Sequence, residues 1–514
     1  MKPEKIETTW LDRAISWLSP NYGLQRARQR AAARVLFSYE GARTDRRASS
    51  WSTGDTSANS EIGPALVKLR ERSRDLVRNN AYASNAIDEL AGQCVGTGIT
   101  AQAKPAGDNI KLAKQTNEAW KIWVDECDAD GQLDFYGIED LVVRTVIESG
   151  ECLIRRRRRL VSDGLHVPFQ LQIFEPDYLD HSKSQALANG GRIIQGVEFD
   201  PIGRRVAYWM FPEHPGDMLA GYSRSDITSY PIPAEDILHV YRKKRQQVRG
   251  VPWIAPVIIS MRDLDEYMEA ELVRKKIEAC FATFVTQMEG PDIQPLGSTE
   301  TNGSGQLEET MEPGMVKYLK QGEDVKFATP SGHGEGYRDF MRDQQTKTAS
   351  GIGLTYEQFT GDLSNVNYSS YRAGLLSFRT KMDSFRWLCL VPMFLQKTRR
   401  WFIDYAFAAG RIDARDYGTQ WSMPGYGSVN PEQDAKAALV QLRSGIRTWP
   451  QIVGEEGYDP MEQLAEIKST NDQWDENGII LDCDPRQRTA VGNSVNLPAP
   501  PADPQPKDPG GQEQ

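Results

Sequence analysis

Apolar residues near the start of the chain recur at helical spacing. From Ile62 to Ala91 they fall on one face of a 3.6-residue period. Polar Asn79 and Asn80 interrupt that period, which indicates a turn between two helices. The same spacing returns at Asn117 to Trp123 and at Ile138 to Glu148, so these segments are also predicted to be helical.

The pattern then changes to short β-branched or aromatic runs bounded by Gly, Pro and Asp. Such runs are typical of strands. Because they follow the helical segments, the first half of the chain predicts an α+β arrangement. The predicted strands are Cys152 to Ile154, Phe169 to Phe174, Ile193 to Phe199, Arg205 to Phe211 and Ile237 to Tyr241.

Two longer apolar stripes follow. The first runs from Ile254 to Phe281, and the second from Leu375 to Ala409 through Leu388, with Pro392 predicting a kink. A long helix with a single apolar stripe requires partner helices to cover it. A shorter helix is predicted from Tyr337 to Ser350.

Residues 282–333 interrupt the helical spacing. Ala282 to Gln287 and Met315 to Leu319 read as strands, and a Gly/Ser/Thr-rich insert runs from Gly290 to Gly305. Acidic residues outnumber lysines between Glu289 and Lys326. This segment is therefore predicted to be a small, acidic, strand-containing part of the chain.

The end of the chain is again helical. The three predicted helices are Asp434 to Leu442, Trp449 to Glu455 and Pro460 to Asn471. From residue 491 the chain is rich in Pro, Gln and Gly and has little apolar content, so 491–514 is predicted to be a disordered tail.

Composition limits the possible functions. The chain has 61 Lys and Arg against 71 Asp and Glu, a net charge of -10, which argues against a protein whose whole surface grips phosphate. It contains neither a membrane-spanning apolar run nor a secretory signal. We therefore expect synthesis in the cytoplasm and no membrane partner.

The sequence contains no motif typical of a metal site, a disulfide framework or a nucleotide site. The six cysteines are spread singly, so neither a metal site nor a disulfide framework is expected, and Cys280 and Cys389 are predicted to be buried. No phosphate-binding loop of the ordinary ATPase type is present. The chain is predicted to be no enzyme and to hold no cofactor, so any ATP-driven motor must be another protein.

Five consecutive arginines, Arg155 to Arg159, form the densest charge cluster. Neighbouring side chains on a strand point to opposite faces, so only about half of them can address one ligand. The cluster is compatible with a nucleic-acid site. A solvated sheet edge or a salt-bridged contact between subunits is the preferred interpretation.

A polar Asn/Ser loop separates two helical patterns between Gly353 and Phe378, and the box Tyr368-Ser-Ser-Tyr-Arg-Ala373 follows it. This segment resembles the tunnel-loop region of lambda-family phage portal proteins. The resemblance extends over most of residues 10 to 485, because further family-like motifs occur upstream in the family's order. These motifs are Thr53 to Asn59, Leu69 to Asn80, Gly96 to Ile99 and Arg249 to Pro252.

The resemblance implies a mainly helical α+β portal fold whose wing, stem, clip and crown parts form a ring around a central channel. The long apolar stripes would then be covered by neighbouring subunits. The implied parts are an N-terminal arm at 1–60, a wing at 61–252, a stem helix at 253–281, a clip at 282–333, a second stem helix at 334–352, a tunnel loop at 353–371, a long wing helix at 372–420 and a C-terminal helical crown at 421–490.

The resemblance also implies a function. The ring, expected to be a dodecamer, would occupy one capsid vertex of the virion. Double-stranded DNA would be packaged through its channel by the terminase large subunit, without sequence preference, and would leave by the same route. Further implied partners are the major capsid and scaffold proteins, whose assembly the ring would seed, and the head-completion connector proteins.

Two groups of site residues follow from the implied parts. The tunnel-loop residues Asn365, Val366, Asn367 and Tyr368 are expected to line the DNA channel. The clip residues Glu308, Glu309 and Glu312 are expected to dock a partner that carries basic patches.

Two other functions stay open on the sequence. One is a cytoplasmic nucleic-acid-processing enzyme that uses Arg155 to Arg159 to bind its substrate. The other is a structural protein of the phage head that forms no channel.

Overall fold

The computed structural model describes residues 54–107, 109–217, 227–280, 336–428 and 430–479, four short strands between 283 and 319, and residues 17, 22, 481 and 486. Most of the predicted arm, the residue Glu312 and the predicted tail at 491–514 lie outside the described residues. The chain divides into two units, Met1–Glu61 and Ile62–Gln514. The second unit contains the core and the candidate site.

The described chain is mainly helical with several small sheets, as predicted. The helices are α1 Ala58–Asn79, α2 Ala81–Val95, α3 Ile110–Glu126, α4 Phe135–Ser149, α5 Ile258–Cys280, α6 Tyr337–Ile352, α7 Tyr356–Thr360, α8 Tyr368–Phe385, α9 Gln396–Ala408, α10 Pro431–Arg443, α11 Trp449–Glu455 and α12 Pro460–Glu476. A π-helical segment, Arg386–Leu395, joins α8 to α9.

The strands are short. They are β1 Thr100–Ala103, β2 Glu151–Arg158, β3 Phe169–Phe174, β4 Gln185–Ala186, β5 Arg192–Ile194, β6 Val197–Phe199, β7 Arg205–Met210, β8 Tyr230–Pro233, β9 Ile237–Tyr241, β10 Thr283–Thr286, β11 Thr299–Thr301, β12 Leu307–Glu309, β13 Val316–Leu319 and β14 Thr419–Ser422. The two larger sheets have the orders β3-β2-β9 and β4-β5-β6-β7-β8.

The predicted helical pair is confirmed. Asn80 separates α1 from α2, and its side chain accepts a hydrogen bond from the Ala83 N–H at 2.9 Å. An Asn at this position satisfies one of the N–H groups that the first turn of a helix leaves free. The polar pair seen in the sequence is therefore a helix end followed by a helix cap.

One predicted strand is wrong. Residues 193–199 form two antiparallel strands, β5 and β6, because Gln195 (φ 49°) and Gly196 (φ 85°) make a tight turn between Ile194 and Val197. Positive φ at both central residues is the geometry of a two-residue hairpin turn. Gln195 is an unusual residue at a position with positive φ. Only Gly196 therefore indicated the turn in the sequence.

The arginine cluster does not lie at a sheet edge, which was one of the interpretations of the sequence. Four of its residues lie on β2, which is the central strand of its sheet and not an edge. Each side chain bonds within its own chain, and Arg158 is 60% exposed, so the cluster is partly solvated, while a contact between subunits stays a prediction. The partners of Arg155 to Arg159 are, in order, Tyr230, Asp236, Gln172, Asp236 and Asp163.

A buried carboxylate, Glu151, joins several elements. It accepts hydrogen bonds from Arg249 at 2.6 and 2.9 Å, from His239 Nε2 at 2.8 Å and from the Gly250 N–H at 2.7 Å. The guanidinium of Arg70 on α1 lies 3.6 Å away. A buried charge with this many partners is far better satisfied than an isolated one, and losing a partner leaves an uncompensated charge.

This network explains the Arg249-to-Pro252 motif. Arg249 also donates to the Gln195 and Pro176 carbonyls, so a single side chain connects both larger sheets. At Gly250 an added Cβ would lie 2.1 Å from the Gly150 carbonyl oxygen, so only glycine fits there. The motif therefore fixes the chain at the point where it leaves the sheets for α5.

The charge states of this network follow from its hydrogen bonds. Burial opposes ionisation of Glu151, but Arg249 and His239 outweigh it and hold the Glu151 pKa well below its usual range. Burial lowers the pKa of His239 to about 4. Its Nδ1 accepts from Arg205 at 2.8 Å, which a protonated ring cannot do.

Neutral His239 predicts a pH dependence. The unfolded chain protonates this residue near pH 6.5, and the native chain does so only near pH 4. The contribution of His239 to stability is therefore present above pH 6.5 and falls by about 3 kcal/mol in total toward pH 4.

Denaturant titrations of the native chain and of His239→Gln across this pH range measure the effect. The informative quantity is the difference between the two proteins, because burial raises the pKa of Glu139 well above its usual value and gives a slope of opposite sign. Parallel pH profiles for the two proteins would contradict a neutral buried His239.

The kink expected at Pro392 takes the form of π-helical turns. Pro392 lacks the N–H that an α-helix needs at that position. The Gln396 N–H bonds to the Val391 carbonyl, five residues back, as a π-helix requires. The wider turns let one continuous helical rod run from α8 to α9.

The π-helical turns also change which residues face the core. The sequence placed Leu388 on the buried stripe, but it is 76% exposed, and Cys389 and Leu390 are buried in its place. Cys389 is thus buried as predicted, whereas the Cys280 side chain lies outside the described residues. The stripe continues through Phe394 into the same core as α2, α3 and α4.

Most of the long wing stripe is therefore covered by its own chain. This corrects the expectation that neighbouring subunits cover it. The apolar surface left uncovered includes Trp387 and Leu388 on the π-helical segment and several residues on the C-terminal helices. Among the described residues, none of the helices has the length and hydropathy needed to cross a lipid bilayer.

Candidate functional site

The segment predicted as one polar loop at 353–371 contains helical structure. Helix α6 ends at Gly353, which has φ 103° and bonds back to the Ala349 carbonyl. Helix α7 follows, and Thr355 and Gln358 cap its first turn reciprocally. Only residues 353–355 and the stretch from Gly361 to Asn367 lie outside helices.

Helix α7 anchors one end of this loop to α2. Phe359 is buried, and its ring stacks on Tyr82 with centroids 5.3 Å apart. The Asn85 side chain donates to the carbonyls of Gln358 at 2.9 Å and Phe359 at 3.2 Å. These contacts fix the position from which the loop leaves the core.

The first half of the loop is stabilised by Asp362. Its carboxylate accepts hydrogen bonds from the Ser364 hydroxyl at 2.6 Å and from the Ser364 N–H at 2.9 Å, and these bonds lower the Asp362 pKa. Asn365 is exposed and Val366 is half-buried. The loop therefore has a local fold while its tip remains accessible to solvent.

The other end of the loop is the start of α8. Asn367 is the cap of this helix, and its side chain accepts from the Ser369 N–H at 3.0 Å. Tyr368 is the first helical residue, and its hydroxyl accepts from Arg372 at 3.0 Å. Two of the four predicted channel residues thus belong to a helix start, which an Asn preceding a helical pattern could have indicated.

Arg372 connects this helix start to the C-terminal helices. Its guanidinium donates to Asp434 of α10 at 2.8 Å. Both ends of the loop are therefore fixed, one on α2 and the other near α10. Between Leu363 and Asn367 the loop carries no charged side chain, so it presents uncharged polar groups on a fixed base.

The predicted docking residues lie elsewhere in the chain. Glu308 and Glu309 are on β12, which pairs antiparallel with β11, and the register places Glu308 opposite Glu300. Glu312 lies outside the described residues. The strands β10 and β13 of the same segment were predicted and pair in parallel.

Among the described residues, one group has the donor types of a metal site, namely Glu175, Asp177 and His214. The Asp177 carboxylate is already bonded to Arg74 at 2.6 Å, and Arg70 lies 3.7 Å from it. Two guanidinium groups at one carboxylate repel a further cation. This group is a salt-bridged cluster and not a good cation site.

Comparison with known sequences identifies the family. The family described as "Phage portal protein, lambda family" matches residues 44–386, more than half of the chain. This chain belongs to the lambda family of phage portal proteins. As a portal protein, it is a component of the head–tail connector of bacteriophages.

Similar portal proteins cover most of the chain. A probable portal protein of Halomonas phage phiHAP-1 is 25% identical over 434 residues, 80% of this chain and 81% of the relative. Portal protein B of Escherichia phage lambda is 21% identical over 467 residues, covering 81% of this chain and 86% of the relative. The portal protein of Escherichia phage N15 is 20% identical over 465 residues, with the same coverage.

Solved structures similar to this portal protein include chains of gene transfer agent particles. The neck of an empty particle, computed with C6 symmetry, contains a chain that is 12% identical, with a TM-score of 0.40. The alignment covers 77% of this chain and 94% of that one. The neck of the native particle, computed with C12 symmetry, gives 11% identity and a TM-score of 0.39, with the same coverage.

Proposed function

We propose that this portal protein forms a ring, a dodecamer, at one vertex of the phage head. The terminase large subunit packages double-stranded DNA through the central channel, and the DNA leaves the virion by the same route. The observation that carries this proposal is the match to the lambda portal family over residues 44–386. The protein acts as a structural channel and not as an enzyme.

The chemistry of the loop supports a role in the channel. A ring repeats every side chain around its axis, so one exposed lysine per subunit at the narrowest point would become a strong positive belt. Asn365, Val366, Asn367 and Tyr368 provide no such charge. Uncharged polar groups contact a phosphate backbone without reading bases and without holding it firmly.

The acidic clip supports a docking role. Glu308 and Glu309, with Glu312, repel DNA and attract a protein that carries basic patches. We assign this surface to the terminase during packaging and to head-completion connector proteins afterwards. The same ring would seed the assembly of the major capsid and scaffold proteins.

The pairing of Arg155 to Arg159 removes the main support for a nucleic-acid-processing enzyme. All five side chains bond within the chain, and Arg156 also lies over the Trp401 ring at 5.0 Å. A substrate would have to displace these contacts.

Packaging in vitro tests the proposed function. Heads assembled with this portal protein, terminase and ATP should protect DNA from nuclease, and heads assembled without it should not, because the channel and the motor's docking surface would be missing. Equal protection in both preparations would contradict the proposal.

A further inference from the structure

A second cationic cluster lies directly after β9. Arg242, Lys243 and Lys244 are consecutive and exposed, and Arg245 follows them. Unlike Arg155 to Arg159, the first three form no ion pair with any carboxylate in the described part of the chain. The cluster is therefore a positively charged patch on a chain whose net charge is -10.

The backbone of this turn is held by a buried side chain. Gln247 Oε1 accepts from the N–H groups of Arg245 at 3.0 Å and Lys244 at 3.3 Å, and its amide donates to the Arg249 carbonyl at 3.2 Å. Gln247 is itself buried. Gln247 thus connects the turn to Arg249, the residue that also donates to Glu151.

Arg242 is held by a second contact. Its guanidinium carbon lies 4.9 Å from the centre of the Trp253 ring, and Trp253 is buried. Stacking on an aromatic face orients a guanidinium and leaves its N–H groups free to donate. The cations of this turn are therefore presented on a fixed support.

Two further cations lie on α9, which continues from the π-helical segment that packs against β9. Lys397 and Arg400 on α9 are exposed. Partial desolvation and the charges of Arg205 and Arg400 lower the Lys397 pKa, and Arg205 in turn donates to Tyr241, at the end of β9, at 2.7 Å. Partial desolvation and the charge of Arg242 likewise lower the pKa of Lys244.

We propose that Arg242, Lys243, Lys244, Lys397 and Arg400 form a second contact surface for the phosphate backbone of double-stranded DNA. This inference rests on the proposed function, which brings a duplex to the ring, but it concerns residues outside the tunnel loop. A duplex presents about one negative charge per 1.7 Å of its axis, so it can engage several fixed cations at once.

The composition of the cluster favours DNA over an acidic protein. Lysine is depleted from protein–protein interfaces, where a compact apolar centre is the rule. Two of the three free cations on the turn are lysines, which bind phosphate as point charges without base readout. The surface is therefore suited to sequence-independent contact.

Binding of a fluorescently labelled duplex of random sequence, followed by anisotropy over a series of salt concentrations, tests this inference on the full-length protein. For the double substitution Lys243→Ala and Lys244→Ala, we expect affinity to fall by at least about tenfold at ~0.1 M salt. The slope of log K against log salt should decrease by about 1.8, because each lost phosphate contact removes about 0.9.

A matched control is Lys111→Ala with Lys114→Ala. These lysines are also exposed, but they face Asp413 and Glu118, and their loss changes the net charge by the same amount. The control should retain the affinity and salt dependence of the parent. Reversal of both turn lysines to Glu should weaken binding further than the alanine pair.

Four results would overturn the inference. They are an absence of DNA binding by the parent protein at low salt, equal losses in the turn and control variants, normal DNA binding by rings of the turn variants, and loss of ring assembly with unchanged DNA binding. The last would assign the surface to a protein contact. Mass photometry of each variant shows whether rings still form. Variants that form rings and bind DNA normally would overturn only this second contact surface and not the proposed ring function.

Discussion

Heads assembled with a portal that lacks Asn365 and Val366 should fail to package or retain DNA. The deletion removes the exposed tip of the loop, which the proposed function places at the narrowest part of the channel. Asn367 is kept because it caps α8, and loss of such a cap costs about 1 kcal/mol. Nuclease-protected DNA per head should fall at least about tenfold, as expected when an ordered contact is lost at every subunit.

Two comparisons make this result specific. Ring formation by the shortened protein should be normal by mass photometry, because neither deleted residue belongs to the buried core. Replacing both residues by Ala keeps the loop length and should leave more packaging than the deletion. Full heads with a normal DNA content from the deletion variant would show that the loop is dispensable.

Replacing Leu388 by Asp should abolish ring assembly. Leu388 is 76% exposed in the single chain, and its neighbour Trp387 is 48% exposed. We expect this adjacent pair of exposed apolar residues to lie in a subunit interface. Burying Leu there contributes about 1.5–3 kcal/mol, and a buried unpaired carboxylate costs more than that, at every contact around the ring.

The matched control for this prediction is Ile202→Asp. Ile202 is 87% exposed on the turn between β6 and β7, so its replacement makes the same chemical change on another surface. Mass photometry should show rings for the control and monomers for Leu388→Asp, with equal helix content by circular dichroism. Rings of normal mass from Leu388→Asp would exclude this part of the π-helical segment from the subunit interface.

Local signals in the sequence carried much of the fold. Asn80 marked the break between α1 and α2 because a side-chain cap is encoded by one residue and its immediate neighbours. The same holds for Gly150, which ends α4 in the left-handed conformation. Elements of this kind depend on a few consecutive residues, so a single sequence is enough to predict them.

Features that depend on distant residues were not predictable in this way. The Glu151 network joins residues from four separate segments, and no local pattern indicates that Arg70 and Arg249 approach one carboxylate. The exposure of Leu388 depends on π-helical turns, which change the angular step per residue along an otherwise regular helix. A period of 3.6 residues therefore misplaces Leu388, although Phe394 and Leu395 further along are buried as predicted.

The candidate site was predicted only in part. The polar loop was visible as a break between two helical patterns, and its four residues lie together on the chain. Helix α7 was missed because it is only five residues long and is held by contacts with Tyr82 and Asn85 of α2. The cationic turn after β9 was present in the sequence, but its significance depends on the lack of ion pairs between its first three cations and carboxylates of the described residues, which only the fold shows.

Imaging of the purified full-length protein by electron microscopy tests the central claim most directly. Class averages should show a ring with rotational symmetry and an open central channel, because the proposed function requires a closed assembly that a duplex can cross. Compact single chains, or closed assemblies without a central hole, would contradict the assignment of this protein as a DNA channel.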